Sequence, residues 1–210
     1  MAVKDGVGHR QRQAEATKDQ IARAARALFA EHGYAATTIA AIAREADIPV
    51  QTVYSALGSK ARILERITGQ WMAESQTVAL AEAYLSEPDP REQLRLLAAL
   101  NRRQLDAGSD VVAIYQEAAR AEPRMAETLR QVLAAREREI RKLVEAVVAR
   151  RRTGPTVDEA LDITLTLTLP EVYRTLVVER GWSPSRYETW LAETLAAQLL
   201  PWQGGEGPTS

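Results

Sequence analysis

The sequence predicts an all-α protein, with a small three-helix unit at its N-terminal end and a larger helical bundle after it. Three observations carry that expectation. Apolar residues recur at helical spacing through nearly every segment. Helix-breaking residues stand between those segments, notably Gly33, Gly58, Glu87-Pro88-Asp89-Pro90, Glu122-Pro123, Gly154-Pro155 and Gly181. The one stretch with strand-like alternation, Ile163-Thr164-Leu165-Thr166-Leu167-Thr168-Leu169, has no second strand-like stretch to pair with.

Taken in order, the first helix is expected over Lys18 to Glu31, because Ile21, Ala24, Ala25, Leu28 and Phe29 form one stripe. Thr17 and Gln20 have capping-box spacing ahead of it, and Gly33 supplies its stop. A second helix is expected from Ile39 to Ala46 with Thr38 as cap, and a third from about Pro49 to Ala56, ended by Gly58. A fourth runs from Lys60 to about Leu85 with Ile63, Ile67, Trp71, Val78, Ala81 and Leu85 on one side. Further helices follow over Arg91 to Asp106, Asp110 to Ala121 and Arg124 to Arg152. Thr156 and Glu159 form a second capping box. The Ile163–Leu169 stretch reads as helix, since Leu161, Leu165, Leu169, Val172 and Leu176 then share a face, with a kink expected at Pro170. Ser183 caps the last helix, with Pro184 in its first turn.

Bulk properties narrow the function. The 210 residues are 46% hydrophobic, enough for a substantial core. No apolar run approaches the roughly 20 residues of a membrane span, and the first residues have no secretory hydrophobic centre, so a cytoplasmic protein without membrane partners is expected. Without cysteine there is no thiol nucleophile or thiolate metal site, and two histidines leave few ligands for a metal. No catalytic set, metal site or cofactor motif is found, so no enzyme activity is expected. The overall charge of −1 divides unevenly: residues 1–66 carry ten basic and seven acidic side chains, a net of +3, and the remainder carries −4. A cationic head on an acidic body suits a nucleic-acid reader.

The second and third helices, joined through Glu45-Ala46-Asp47-Ile48-Pro49, make a helix-turn-helix with Ile39, Ile42, Ala43, Ile48 and Val53 as its buried set. The second of the two must stand outward with small or polar side chains to enter a groove about 12 Å wide. Val50, Gln51, Thr52, Tyr54 and Ser55 meet that requirement. Glutamine can pair with adenine, valine can touch the thymine methyl, and hydroxyls commonly bind phosphate.

The run Ala24-Ala25-Arg26-Ala27-Leu28-Phe29-Ala30-Glu31-His32-Gly33-Tyr34, then Thr37-Thr38-Ile39, Ile42-Ala43, Ala46-Asp47-Ile48, Thr52-Val53-Tyr54 and Ser59-Lys60 resembles the N-terminal signature of the tetracycline-repressor (TetR) family of bacterial regulators. The resemblance covers about Thr17 to Ile67. It implies phosphate contacts from Thr38, Thr52, Tyr54 and Lys60, and base-facing positions for Val50, Gln51 and Ser55. Two departures stand out: Ser55-Ala56-Leu57-Gly58 replaces the usual bulkier residues after the tyrosine, and Asp47 holds a turn position often filled by glycine. Asp47 must therefore adopt a backbone that glycine reaches more easily.

The resemblance further implies a ligand-responsive repressor that binds a palindromic double-stranded DNA operator as a homodimer. A small-molecule effector would occupy a cavity among the middle helices, with Trp71, Asn101, Gln104 and Tyr115 as candidate lining residues. Candidates for the dimer seam are Leu161, Leu165, Leu169, Val172, Leu176, Trp190, Leu191 and Leu195 on the last helices. The expected organisation is a flexible arm over 1–16, a DNA-binding domain over 17–66, an effector and dimerisation domain over 67–201, and a flexible tail over 202–210. A helical protein-interaction module and, further off, a small-molecule enzyme are the alternative readings.

Overall fold

The computed structural model describes residues 4–150 and 154–200, and every regular element among them is helical. They are α1 (Lys4–His32), α2 (Ile39–Glu45), α3 (Val50–Ala56), α4 (Lys60–Glu74), α5 (Val78–Ser86), α6 (Pro90–Ala121), α7 (Pro123–Val148), α8 (Val157–Leu167), α9 (Pro170–Tyr173) and α10 (Pro184–Leu199). The described residues pack as two compact units: those up to 74 with 110–130, and 75–109 with those from 131 to 200. The tail expected over 202–210 lies outside the described residues.

In the first unit, the stripe of α1 (Ile21, Ala25, Phe29) meets Ile42 and Ala43 of α2, Val53 of α3 and Ile63, Leu64 and Ile67 of α4. The same cluster takes in Val111, Ile114, Tyr115 and Ala118 of α6 and Met125 of α7. The helix-turn-helix thus shares its core with a segment that follows it by more than fifty residues in the chain. Polar links reinforce this packing. Arg26 grips Asp110 through two hydrogen bonds of 2.7 Å, and Arg66 pairs with both Asp19 and Glu15. Here α1 begins well upstream of the expected start. Thr17 lies inside it, with its hydroxyl donating to Gln13 O at 3.0 Å, so it is not an N-cap, and the described part of the expected arm is helical.

The second unit is built around Tyr84, Leu94, Leu97, Leu161, Tyr173, Tyr187, Leu191 and Leu195. The expected fourth helix divides into α4 and α5, because Gln76 takes a left-handed backbone with φ of 48°. The two helices expected on either side of residue 108 are continuous in α6 except at Gly108, whose φ of −165° and ψ of 37° interrupt the helical run. The threonine-rich stretch is helix, as expected. Thr164, Thr166 and Thr168 each turn their hydroxyl onto the carbonyl four residues back, at 2.7, 2.8 and 2.7 Å, which lets a β-branched series sit in a helix.

Pro170 does not kink a continuous helix but opens α9, so the chain breaks at Thr168-Leu169. The carbonyl that this break leaves without a helical partner on the buried Thr168 accepts from Asn101 Nδ2 at 3.1 Å and from Arg136 Nη2 at 2.9 Å. Arg136 is therefore a cation at the C-terminal end of α8, where the helix dipole favours it. Beyond α9, residues Arg174–Glu179 form a wider π-helical turn that ends at Gly181 with φ of 69°.

Candidate nucleic-acid interface

The geometry of the helix-turn-helix begins at Thr38. Its hydroxyl accepts from Ala41 N at 3.1 Å and caps α2, while the side chain stays exposed. The turn into α3 closes on Asp47, which has the expected left-handed φ of 52°. Gln20 of α1 secures this turn by donating from Nε2 to Ala46 O at 2.7 Å. Pro49 serves as N-cap to α3, one position ahead of the first turn where it was expected.

On α3 one side is anchored by Val53, which is buried, and the opposite side projects. Val50 is 41% exposed and Tyr54 50%, high values for apolar and aromatic side chains, and Gln51 and Ser55 are exposed beside them. Thr52 is half-buried, and Ser55 turns its hydroxyl back onto Thr52 O at 3.1 Å. The helix stands as the groove-entry requirement asks.

Lys60 differs from a free surface cation. Its ammonium donates to Tyr34 O at 2.8 Å, reaches Ala35 O at 3.4 Å and lies 4.5 Å from the centre of the Tyr34 ring. The Tyr34 hydroxyl in turn donates to Glu122 Oε1 at 2.9 Å, and Ala35 N donates to Glu117 Oε1 at 3.1 Å. Burial, followed by that bond to Glu122, pushes the Tyr34 phenol well above its ordinary range, so it stays a donor at any working pH. Gln20, Glu117 and Glu122 were not among the sequence candidates. The last two lie more than eighty residues from their partners, and no local pattern marks them.

The remaining candidates fall in both units. Trp71 is half-buried against the core of the first unit, and Tyr115 is buried in that core. In the second, Gln104 is half-buried, and Asn101 is buried with both ends of its amide engaged, since Tyr187 donates to its Oδ1 at 2.7 Å. Of the seam candidates, Leu161, Leu191 and Leu195 are buried inside their own unit. Leu165, Val172, Leu176 and Trp190 are half-buried, and Leu169 is 40% exposed. Among the described residues no group of histidine or acidic side chains could hold a metal ion, and no helix is long and apolar enough to cross a membrane.

Comparison with known proteins agrees with this geometry. Residues 21–67 match the family described as bacterial regulatory proteins, tetR family. A search of curated protein sequences gives no match. Among solved structures, the TetR family transcriptional regulator PfmR from Thermus thermophilus superposes with a TM-score of 0.66 at 22% identity, over 89% of this chain and 97% of that one. The regulator FadR from Bacillus subtilis, solved with stearoyl-CoA, gives 0.68 at 16% identity over 86% and 98%. A TerR/AcrR-family transcriptional regulator from Aquifex aeolicus gives 0.66 at 18% identity over 86% and 98%. The chain thus carries the N-terminal DNA-binding domain of the tetR family of bacterial regulatory proteins, on a whole-chain fold that it shares with that family's transcriptional regulators.

Proposed function

We propose that this chain is a ligand-responsive repressor that binds a palindromic operator as a homodimer in the cytoplasm, with no enzymatic role. The observation that carries the reading is α3: a short helix held by Val53 and offering Val50, Gln51, Tyr54 and Ser55 outward. In this reading Gln51, Val50 and Ser55 face base edges, while Thr38, Thr52, Tyr54 and Lys60 serve the phosphate backbone. The DNA-binding domain is the 17–66 segment, and 67–201 senses the effector and dimerises.

Dimerisation through α8 and α10 is supported by the apolar side chains left partly accessible on them, Leu165 and Trp190, by Leu169 just beyond α8, and by a groove lined by Asp162, Ile163, Thr166, Leu167, Thr194 and Gln198. Two heads so joined would meet half-sites about one helical turn apart. The FadR structure holds stearoyl-CoA. By analogy a small organic effector binds this chain and shifts the dimer to a form that cannot span both half-sites.

The test is a gel-shift series on a duplex selected from a random library by the parent protein. Tyr54→Phe and Lys60→Ala are expected to weaken binding to all sequences, and Gln51→Ala to change the preferred sequence. Parent-like binding by all three variants would refute the assignment of this surface.

A further inference from the structure

Two carboxylates stand where a phosphate-binding edge would least favour them, beside the loop that leads from α1 into α2. Glu117 Oε1 accepts from Ala35 N at 3.1 Å. Its carboxylate also fills the space against Gly33, where a Cβ would come within 2.8 Å of Oε1. Glu122 Oε1 takes the Tyr34 hydroxyl at 2.9 Å. From the other side, the Lys60 ammonium holds the carbonyls of Tyr34 and Ala35, and Thr37 ties the loop to Gly33 O at 2.7 Å. The five residues Gly33–Thr37 are thus gripped from α6, from Glu122 at the junction of α6 and α7, and from α4 together, and the next residue is Thr38, the cap of α2.

We infer that Glu117, supported by Glu122, is a positioning residue for DNA binding: it fixes the 33–37 loop, and through that loop it sets the Thr38 cap and the Lys60 ammonium at their places on the DNA-facing edge. The inference rests on the reading of Thr38 and Lys60 as phosphate contacts given above. A negative charge this close to the proposed backbone contacts lowers affinity by simple electrostatics. Its presence is accounted for by what it holds. Lys60 has three N–H donors, of which two are spent on loop carbonyls, so the direction of the third depends on where the loop lies.

Charge and geometry make opposite forecasts, which the full-length protein can separate on a duplex selected by the parent chain. If Glu117 acted only as a charge, Glu117→Ala and Glu117→Gln would both tighten binding. As a positioning residue, Glu117→Gln keeps an amide oxygen for Ala35 N and binds like the parent or better, while Glu117→Ala binds about tenfold more weakly. The slope of affinity against salt should fall by about one in Glu117→Ala, as Lys60 loses its phosphate. In a Thr38→Ala background the loss caused by Glu117→Ala should shrink by more than half on a logarithmic scale. Binding is measured well below each variant's melting temperature, and should Glu117→Ala fail to fold, Tyr34→Phe removes the Glu122 bond alone and is expected to bind about threefold more weakly. Parent-like binding by Thr38→Ala and Lys60→Ala would refute the DNA-contact reading itself. Weakened binding in those two, with Glu117→Ala and Glu117→Gln both parent-like or both tighter, would overturn the positioning inference alone.

Discussion

At the scale of single residues, the stops between helices carry separable costs. Gly33 has φ of 84° and the Glu117 carboxylate pressed against it, whereas Gly58 has φ of 77° and only Tyr54 O, at 3.7 Å, near its missing Cβ. Replacing either with alanine forces a left-handed backbone on a residue with a Cβ, at roughly 1–2 kcal/mol. Gly33→Ala should cost more than Gly58→Ala in thermal unfolding, because only the first must also push the carboxylate aside. Equal costs would show that the carboxylate moves freely. A second residue-scale forecast concerns acid. The hydrogen bond from Arg66 holds the Asp19 carboxyl below its ordinary value near 3.8, with burial opposing. A depressed folded-state value stabilises above the unfolded value and is lost as pH falls through the folded one. Arg66→Ala should therefore lower stability by roughly 0.5–1 kcal/mol at pH 7, in keeping with a partly exposed pair. That deficit should shrink in denaturant titrations as the pH falls below 3.8 and on through the lower folded-state value.

At the scale of elements, local chemistry was legible where a cap or a turn residue dictates the backbone. Thr38, Thr156 and Ser183 cap α2, α8 and α10 as their positions predict, and Thr156 and Glu159 bond reciprocally. Thr156→Ala should destabilise the second unit by about 1 kcal/mol in urea unfolding, while leaving DNA affinity at the parent level. The elements misjudged from sequence were those whose ends no local signal marks. The break between α4 and α5 falls on Ser75-Gln76-Thr77, where no glycine or proline announces it, and Ser75 and Thr77 are buried there. Pro170 was expected to bend a helix and instead begins one, because Asn101 and Arg136 from other helices satisfy the carbonyl left behind on Thr168.

At the scale of the whole molecule, the first unit is assembled from two stretches of chain, the described residues up to 74 and residues 110–130. Val111, Ile114, Tyr115, Ala118 and Met125 all lie buried in its core. Leaving five such side chains without their partners forfeits about 1.5–3 kcal/mol for each large one, a sum comparable with the whole stability of a small domain. A fragment ending at residue 74 should therefore lack a cooperative thermal transition by circular dichroism, whereas the full chain should show one. A fragment that melts as sharply as the full chain would mean that the helix-turn-helix stands without 110–130.

The sequence by itself determined the helical class, the helix-turn-helix and its outward residues, because caps, turn glycines and a 3.6-residue apolar period act over a few positions along one chain. Only the tertiary structure decided that Lys60 is anchored on loop carbonyls and that Glu117 and Glu122 grip that loop. Those contacts join residues as much as 88 apart, and which distant groups meet depends on how whole helices pack, a property that no local pattern encodes.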